Sequence, residues 1–146
     1  MLRKRLLTFA AAVLMVFTAQ AMTANAAHAS ASGCTFAPGY SGAQNCIDVN
    51  GSGLNVSSSR SIYKPGVTTW PPQICNRQHQ WRYTRNGGSQ TTRSETAPSC
   101  IPGILNDFVD WSNPGTMANN STFCARTNNS HTSGVWTNYA CVKIES

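Results

Sequence analysis

Arginine and aromatic side chains cluster between residues 75 and 100, where binding chemistry has its strongest candidates. The segment holds four of the eight basic residues that lie outside the N-terminal leader, and Trp81 and Tyr83 stand among them. Arg, Trp and Tyr are the residue types that dominate the energetics of binding interfaces. The pattern therefore predicts a contact surface, and its candidate residues are Arg77, His79, Trp81, Arg82, Tyr83, Arg85 and Arg93. In the alternative arrangement Trp81 and Tyr83 face the core, as large aromatic side chains commonly do.

Catalytic chemistry has few candidate residues. His79 and Glu95 come close together in the predicted hairpin and could form an acid–base pair. Asp107 and Asp110 would share a face on a helix, but on a strand they point to opposite faces. The sequence contains no nucleophile elbow, zinc-binding H-E-x-x-H run or phosphate-binding loop. We therefore predict a non-enzymatic protein that needs no cofactor, and a small secreted hydrolase is the alternative.

Metal binding has one weak candidate. The run Asp48-x-Asn50-x-Ser52-Gly53 resembles the opening of a calcium loop, but Ser59 stands where an EF-hand requires glutamate. The cysteines contain no C-x-x-C pair of the kind that zinc sites use. We predict a turn at this run and no metal site.

Six cysteines in a short chain predict a disulfide framework. The turn Asn86-Gly87-Gly88-Ser89, centred on its two glycines, sets a hairpin register in which Tyr83 faces Thr92 and Trp81 faces Ser94. The same register places Cys75 opposite Cys100, at a separation that a disulfide can span. The predicted pairs are Cys34–Cys46, Cys75–Cys100 and Cys124–Cys141.

The N-terminal residues 1–29 have the layout of a secretory signal peptide: a basic start, an apolar run from Leu6 to Phe17, and small residues up to Ala29. The apolar run is shorter than the roughly 20 residues of a membrane span. Removal of the three basic leader residues lowers the formal charge from +6 to +3. This charge is too modest to indicate nucleic-acid binding, and we predict a secreted protein that does not associate with membranes after cleavage.

Residues 30–146 are predicted to form one all-β domain. Short β-branched and aromatic runs alternate with Gly, Pro and Asn, which indicates about seven strands. One strand runs from Leu54 to Ile62 in polar–apolar alternation, and another begins near Asp107. A domain with these features is expected to be a two-sheet antiparallel sandwich of immunoglobulin-like size, stapled by three disulfides.

Two resemblances add to this reading. The chain resembles uncharacterised small exported β proteins of high-GC Gram-positive bacteria, a group that implies no activity; the motifs that carry this likeness are Asn50-Gly51-Ser52-Gly53-Leu54, Phe123-Cys124-Ala125, Trp136-Thr137-Asn138 and Cys141-Val142-Lys143-Ile144. The triplet Trp81-Arg82-Tyr83 is similar to the one that tendamistat-type α-amylase inhibitors present on a disulfide-bounded turn. Here the nearest downstream cysteine, Cys100, is much farther away than in those inhibitors.

The sequence thus predicts a monomeric, secreted, non-catalytic binding protein whose contact surface is the Arg-rich hairpin. Its partner would be an extracellular protein or glycan. The alternatives are an enzyme inhibitor of the amylase type acting through Trp81-Arg82-Tyr83, a small secreted hydrolase, and a bacteriocin-like effector.

Overall fold

The computed structural model describes residues 30–67, 73–97, 99–128 and 134–146. The predicted signal peptide, residues 1–29, lies outside the described residues. The described residues form ten strands and no helix, and none of them forms a helix that could span a membrane. The strands are β1 (Ala31–Phe36), β2 (Gln44–Ser52), β3 (Asn55–Lys64), β4 (Gln73–Ile74), β5 (Gln78–Thr84), β6 (Gln90–Thr96), β7 (Ile101–Pro102), β8 (Asp107–Thr116), β9 (Ser121–Asn128) and β10 (Ala140–Ile144).

Two four-stranded antiparallel sheets form a sandwich, as the sequence predicts. One sheet has the order β1-β2-β3-β8 and the other has the order β10-β9-β5-β6, while β4 and β7 make a separate two-stranded ladder. The strand predicted from about Asp107 is β8.

The core lies between the sheets and is built around four large aromatic rings. Trp111 of β8 packs edge-on against Trp81 and Tyr83 of β5, with ring centroids 5.7 Å and 4.9 Å apart, and Phe123 of β9 lies 5.8 Å from Trp111. Rings of this size bury large apolar areas, and edge-to-face contacts add to that stabilisation.

All three predicted disulfides are confirmed. Each joins two directly opposed residues of neighbouring strands or their extensions, with Cα–Cα distances of 4.1 Å, 4.4 Å and 4.0 Å for the pairs in chain order. In the register, Cys34 faces Cys46 and Cys124 faces Cys141. Three covalent staples reduce the conformational freedom of the unfolded chain and so stabilise the domain.

The predicted register of the Arg-rich hairpin is wrong by one residue. Tyr83 faces Thr91, and Trp81 faces Arg93 rather than Ser94. The connection is longer than two residues, because the last paired residues are Thr84 and Gln90. A turn within it closes with a hydrogen bond from Gly88 N to Arg85 O.

The ladder next to the Cys75–Cys100 disulfide nevertheless keeps the predicted register, since Ile74 faces Ile101. The one-residue difference falls beside Asn76, which adopts a positive φ of 52°. Asparagine tolerates this left-handed conformation better than most residues. An irregularity at Asn76 therefore joins two locally regular ladders whose registers differ by one.

A β-bulge also interrupts the alternation of β3. The register shifts between Val56 and Ser58 against both neighbouring strands. Val56 faces the core, but beyond the bulge the inward residues are Ser59, Ser61 and Tyr63. A bulge inserts one extra residue and so exchanges the two faces of a strand, which places hydroxyl groups inside the sandwich.

Candidate contact face

Strand β5 sends alternate side chains to opposite sides of its sheet. His79, Trp81 and Tyr83 point into the core, and Arg77, just before the strand, is also buried. The placement of these four residues on a contact surface is therefore wrong, and the alternative arrangement, in which Trp81 and Tyr83 face the core, is confirmed. Two rings and a histidine on one parity form the apolar side of the strand, which the opposite sheet covers.

The three other predicted contact residues remain accessible to different degrees. Arg85 is exposed at the hairpin turn, and Arg93 on the edge strand β6 donates to Glu95 at 3.1 Å and covers the ring of Trp111 at 4.9 Å. Arg82 is half-buried on the outer face of the sheet. The predicted cluster is thus divided between the interior, the sheet edge and the outer face.

Four buried polar residues form one connected network across the two sheets. Arg77 Nε lies 2.6 Å from Asp107 Oδ1, and His79 Nε2 lies 3.1 Å from Asp107 Oδ2. On the other side of the ring, His79 Nδ1 lies 2.9 Å from the hydroxyl of Ser61. Both ring nitrogens of His79 are therefore within hydrogen-bonding distance of a buried polar partner.

This network contains a serine, a histidine and an aspartate, the residue types of a hydrolytic triad. All three are closed off from solvent, with relative exposures of 0% for Ser61 and His79 and 1% for Asp107. A nucleophile must reach its substrate within hydrogen-bonding range of its base, and the serine is enclosed between the sheets. The geometry supports a structural role, in which the network links β3, β5 and β8.

The predicted pairing of His79 with Glu95 is correct for the backbone but not for the side chains. The two residues are directly opposed between β5 and β6. The imidazole bonds to Ser61 and Asp107, while Glu95 accepts from Arg93. Asp107 points inward and Asp110 outward, as expected for residues three apart on a strand.

A different set of side chains forms an Arg–aromatic cluster on the outer face of the β10-β9-β5-β6 sheet. The guanidinium carbon of Arg82 lies 4.1 Å from the ring centroid of Tyr139, and that of Arg126 lies 4.6 Å from the same centroid. Arg126 also lies 4.7 Å from the ring of Trp136. We call this cluster the Arg–aromatic face and define it by Gln80, Arg82, Arg126, Trp136 and Tyr139.

Gln80 links the other members of the Arg–aromatic face through hydrogen bonds. Its Oε1 atom accepts hydrogen bonds from Arg126 Nε at 2.9 Å and from the hydroxyl of Tyr139 at 2.8 Å. Its amide nitrogen donates to Ser94 at 3.0 Å. Cation–π contacts and a shared acceptor therefore hold two guanidinium groups in defined positions on a half-exposed surface.

Four members of this face, Gln80, Arg126, Trp136 and Tyr139, were not predicted from the sequence, although a signal was present. The predicted pairing of Cys124 with Cys141 also places Arg126 opposite Tyr139 if the register is continued by two residues. The ladder itself ends at the pair Ala125–Ala140, and Trp136 and Tyr139 belong to the segment that leads into β10. The register set by this disulfide therefore indicates the position of the cluster, whereas the local density of arginines does not.

No protein-family model matches the chain, and no curated protein or solved structure is significantly similar to it.

Proposed function

We propose that this protein is a non-catalytic binding protein of the extracellular space and that its contact surface is the Arg–aromatic face. The observation that carries the proposal is the pair of guanidinium groups, Arg82 and Arg126, that lie against one ring, Tyr139. The three disulfides and the sequence of the leader support an extracellular site of action.

The energetic argument rests on preorganisation. Arginine loses considerable rotamer entropy when a partner immobilises it, and this loss reduces affinity. Gln80 and Tyr139 already restrain Arg126 in the free protein. The Arg–aromatic face therefore consists of residue types that dominate binding interfaces. Because Arg126 is already restrained, the entropic cost of binding is lower.

The charge of the face indicates an acidic partner. Among the described residues, neither Arg82 nor Arg126 forms an ion pair with a carboxylate. Planar guanidinium groups bind carboxylates with two parallel hydrogen bonds. A surface that carries Asp and Glu side chains would supply these acceptors.

The same geometry favours a protein partner over a glycan at this face. Tyr139 would be the natural stacking platform for a sugar, but two guanidinium groups already lie against its ring. The guanidinium groups and the half-exposed Trp136 remain for contact. Trp and Arg together are typical hot-spot residues of protein interfaces.

The alternative of an amylase-type inhibitor acting through Trp81-Arg82-Tyr83 receives no support from the geometry. Trp81 and Tyr83 are buried, and only Arg82 of the triplet reaches the outer face. An inhibitory contact through all three side chains would require β5 to leave the sheet.

The test compares two basic residues on the same sheet. The disulfide-bonded protein is immobilised and used to capture a partner from the extracellular fraction of the producing organism, and the purified partner is then titrated against Arg126→Ala and Lys143→Ala. Lys143 of β10 is the matched control, since it pairs with Glu145 just after the strand and lies outside the Arg–aromatic face. We expect Arg126→Ala to weaken binding by about tenfold or more and Lys143→Ala to leave it nearly unchanged. Failure to capture any partner, or equal binding by the two variants, would overturn the proposal.

A further inference from the structure

A polar depression lies on the opposite side of the molecule, on the outer face of the β1-β2-β3-β8 sheet. It has a volume of about 370 Å³ and is lined chiefly by Asp48, Asn50, Ser58, Arg60, Asp110 and Ser112. A neighbouring depression of about 330 Å³ shares Asp48 and Asn50 and continues over β1. Together the two depressions cross all four strands of the sheet.

The floor of the depression is a row of alternating hydrogen-bond acceptors and donors. Asp48 is opposed to Arg60 across β2 and β3, and Arg60 is opposed to Asp110 across β3 and β8. Directly opposed residues share a face of the sheet with their Cβ atoms about 5 Å apart. Carboxylate, guanidinium and carboxylate therefore follow one another at a regular spacing.

The charged groups in this row differ in the number of hydrogen bonds that they form within the protein. Arg60 donates from Nε to Asp110 Oδ1 at 2.6 Å and from its terminal nitrogen to Asp110 Oδ2 at 2.9 Å. This hydrogen bonding to Arg60 lowers the pKa of Asp110, which stays ionised. Asp48 forms no hydrogen bond or ion pair with any described residue, although it lies opposite a guanidinium group. The row thus offers one carboxylate without a hydrogen-bonding partner beside an ion pair that is joined by two hydrogen bonds.

An apolar row lies next to the polar one. The next outward-facing pair of the sheet is Ile62 with Phe108, and the Arg60 guanidinium carbon lies 4.4 Å from the Phe108 ring centroid. Half of the Phe108 surface is exposed, at 50%. Phe108 does not line the depression, but it lies beside it on the same face of the sheet, in contact with Arg60, which does line it.

We infer that this depression binds a neutral saccharide. Sugar hydroxyl groups donate and accept hydrogen bonds, which suits a row of carboxylate, guanidinium and carboxylate groups. The apolar C–H face of a sugar ring would lie against the part of Phe108 that Arg60 leaves exposed; Phe108 carries one guanidinium group, whereas Tyr139 carries two. A concave site with an apolar margin and a few fixed polar groups is the usual form of a small-molecule site.

The charge distribution selects against other ligand classes. Two carboxylates and one guanidinium give the depression a net negative charge, which disfavours phosphate, sulfate and acidic sugars. Among the described residues there is no group of three or more His, Cys, Asp or Glu side chains that could hold a metal ion. A neutral polyol agrees best with both observations.

The saccharide site and the Arg–aromatic face lie on opposite sheets, so each can fail independently of the other. The test records amide chemical shifts of the ¹⁵N-labelled, disulfide-bonded protein during titration with maltotetraose, cellotetraose and chitotetraose. Tetragalacturonate and calcium chloride serve as acidic and cationic comparisons. The variants are Asp48→Ala, which removes the carboxylate without a hydrogen-bonding partner, Ser112→Phe, which fills the depression from an exposed position, and Glu145→Gln as the control outside it.

We expect at least one neutral tetrasaccharide to shift the amides of residues 48–50, 58–60 and 110–112. Loss of a hydrogen bond to a charged group should weaken that binding by about tenfold in Asp48→Ala. Ser112→Phe should weaken it similarly, and Glu145→Gln should leave it unchanged. The inference is overturned if no neutral tetrasaccharide shifts these amides at about 10 mM, a concentration that detects very weak sites, or if both depression variants bind normally. Tighter binding of tetragalacturonate or calcium would also overturn it.

Discussion

Replacement of Asp107 by asparagine tests the role of the buried network in holding the two sheets together. The carboxylate lies 2.6 Å from Arg77 Nε and 3.1 Å from His79 Nε2, and the Arg77 and Asp107 side chains are only 5% and 1% exposed. Removal of one partner from a buried ion pair leaves an uncompensated charge and costs about 3–5 kcal/mol. We therefore expect Asp107→Asn to lower the free energy of unfolding by about that amount.

Asp110→Asn is the matched control for this experiment. Asp110 lies on the same strand, three residues away, and its carboxylate is also 2.6 Å from the Nε of an arginine, Arg60. Its pair is solvent-exposed, with side-chain exposures of 46% for Arg60 and 49% for Asp110. Exposed ion pairs contribute about 0–1 kcal/mol, so the control should lose little stability.

The assay is urea-induced unfolding at pH 7 with the disulfides intact, which gives the free energy of unfolding by linear extrapolation. Asp107→Asn should lose at least about 2 kcal/mol more than Asp110→Asn, from the difference between buried and exposed pairs. A double variant, Arg77→Met with Asp107→Leu, should recover part of the loss: no unpaired charge remains buried, but His79 Nε2 still lacks its partner. Equal losses in the two single variants would refute the assigned role of burial.

Three further outcomes follow from the fold. Burial raises the pKa of Tyr63 from 10.0 to about 12. The folded protein therefore holds this proton more tightly than the unfolded chain does. The resulting stabilisation is present below about pH 10 and should be lost as the pH rises towards 12. Stability measured across that range should depend less on pH in Tyr63→Phe. Gly33→Ala would place a methyl group 2.7 Å from the Cys141 carbonyl oxygen, so it should displace β1 from β10 and lower the melting temperature measured by calorimetry. Phe123→Ala in the core should cost about 3–5 kcal/mol in urea unfolding, whereas Phe108→Ala on the half-exposed surface should cost much less.

The fold class and the three disulfides could be predicted from the sequence, because both depend on local signals. Cysteine positions and glycine-rich turns fixed the three pairs, and the residues around Asp107 favoured a strand. What could not be predicted was the face of each strand beyond an irregularity. The bulge after Val56 and the positive φ of Asn76 each shift the register by one, and such a shift exchanges or displaces all later side chains.

The candidate contact face failed for a related reason. Adjacent residues of β5 point to opposite faces of the sheet, so a run rich in arginines and aromatic rings has members on both faces. Local composition alone could not show that Trp81 points inward and Arg82 outward. The buried network is formed by residues of β3 and β8 together with residues in or next to β5. Their spacing along the chain does not predict that they meet. The Arg–aromatic face likewise joins Arg82 to Tyr139 across 57 residues of chain.

Hydroxyl-radical footprinting of the protein with and without its captured partner tests the proposed contact surface most directly. Aromatic side chains on both sheets report on accessibility in one experiment. The proposal predicts that the partner lowers modification of Trp136 and Tyr139 and leaves that of Phe36 and Phe108, on the opposite sheet, unchanged. Protection of Phe36 and Phe108 with no change at Trp136 and Tyr139 would contradict it.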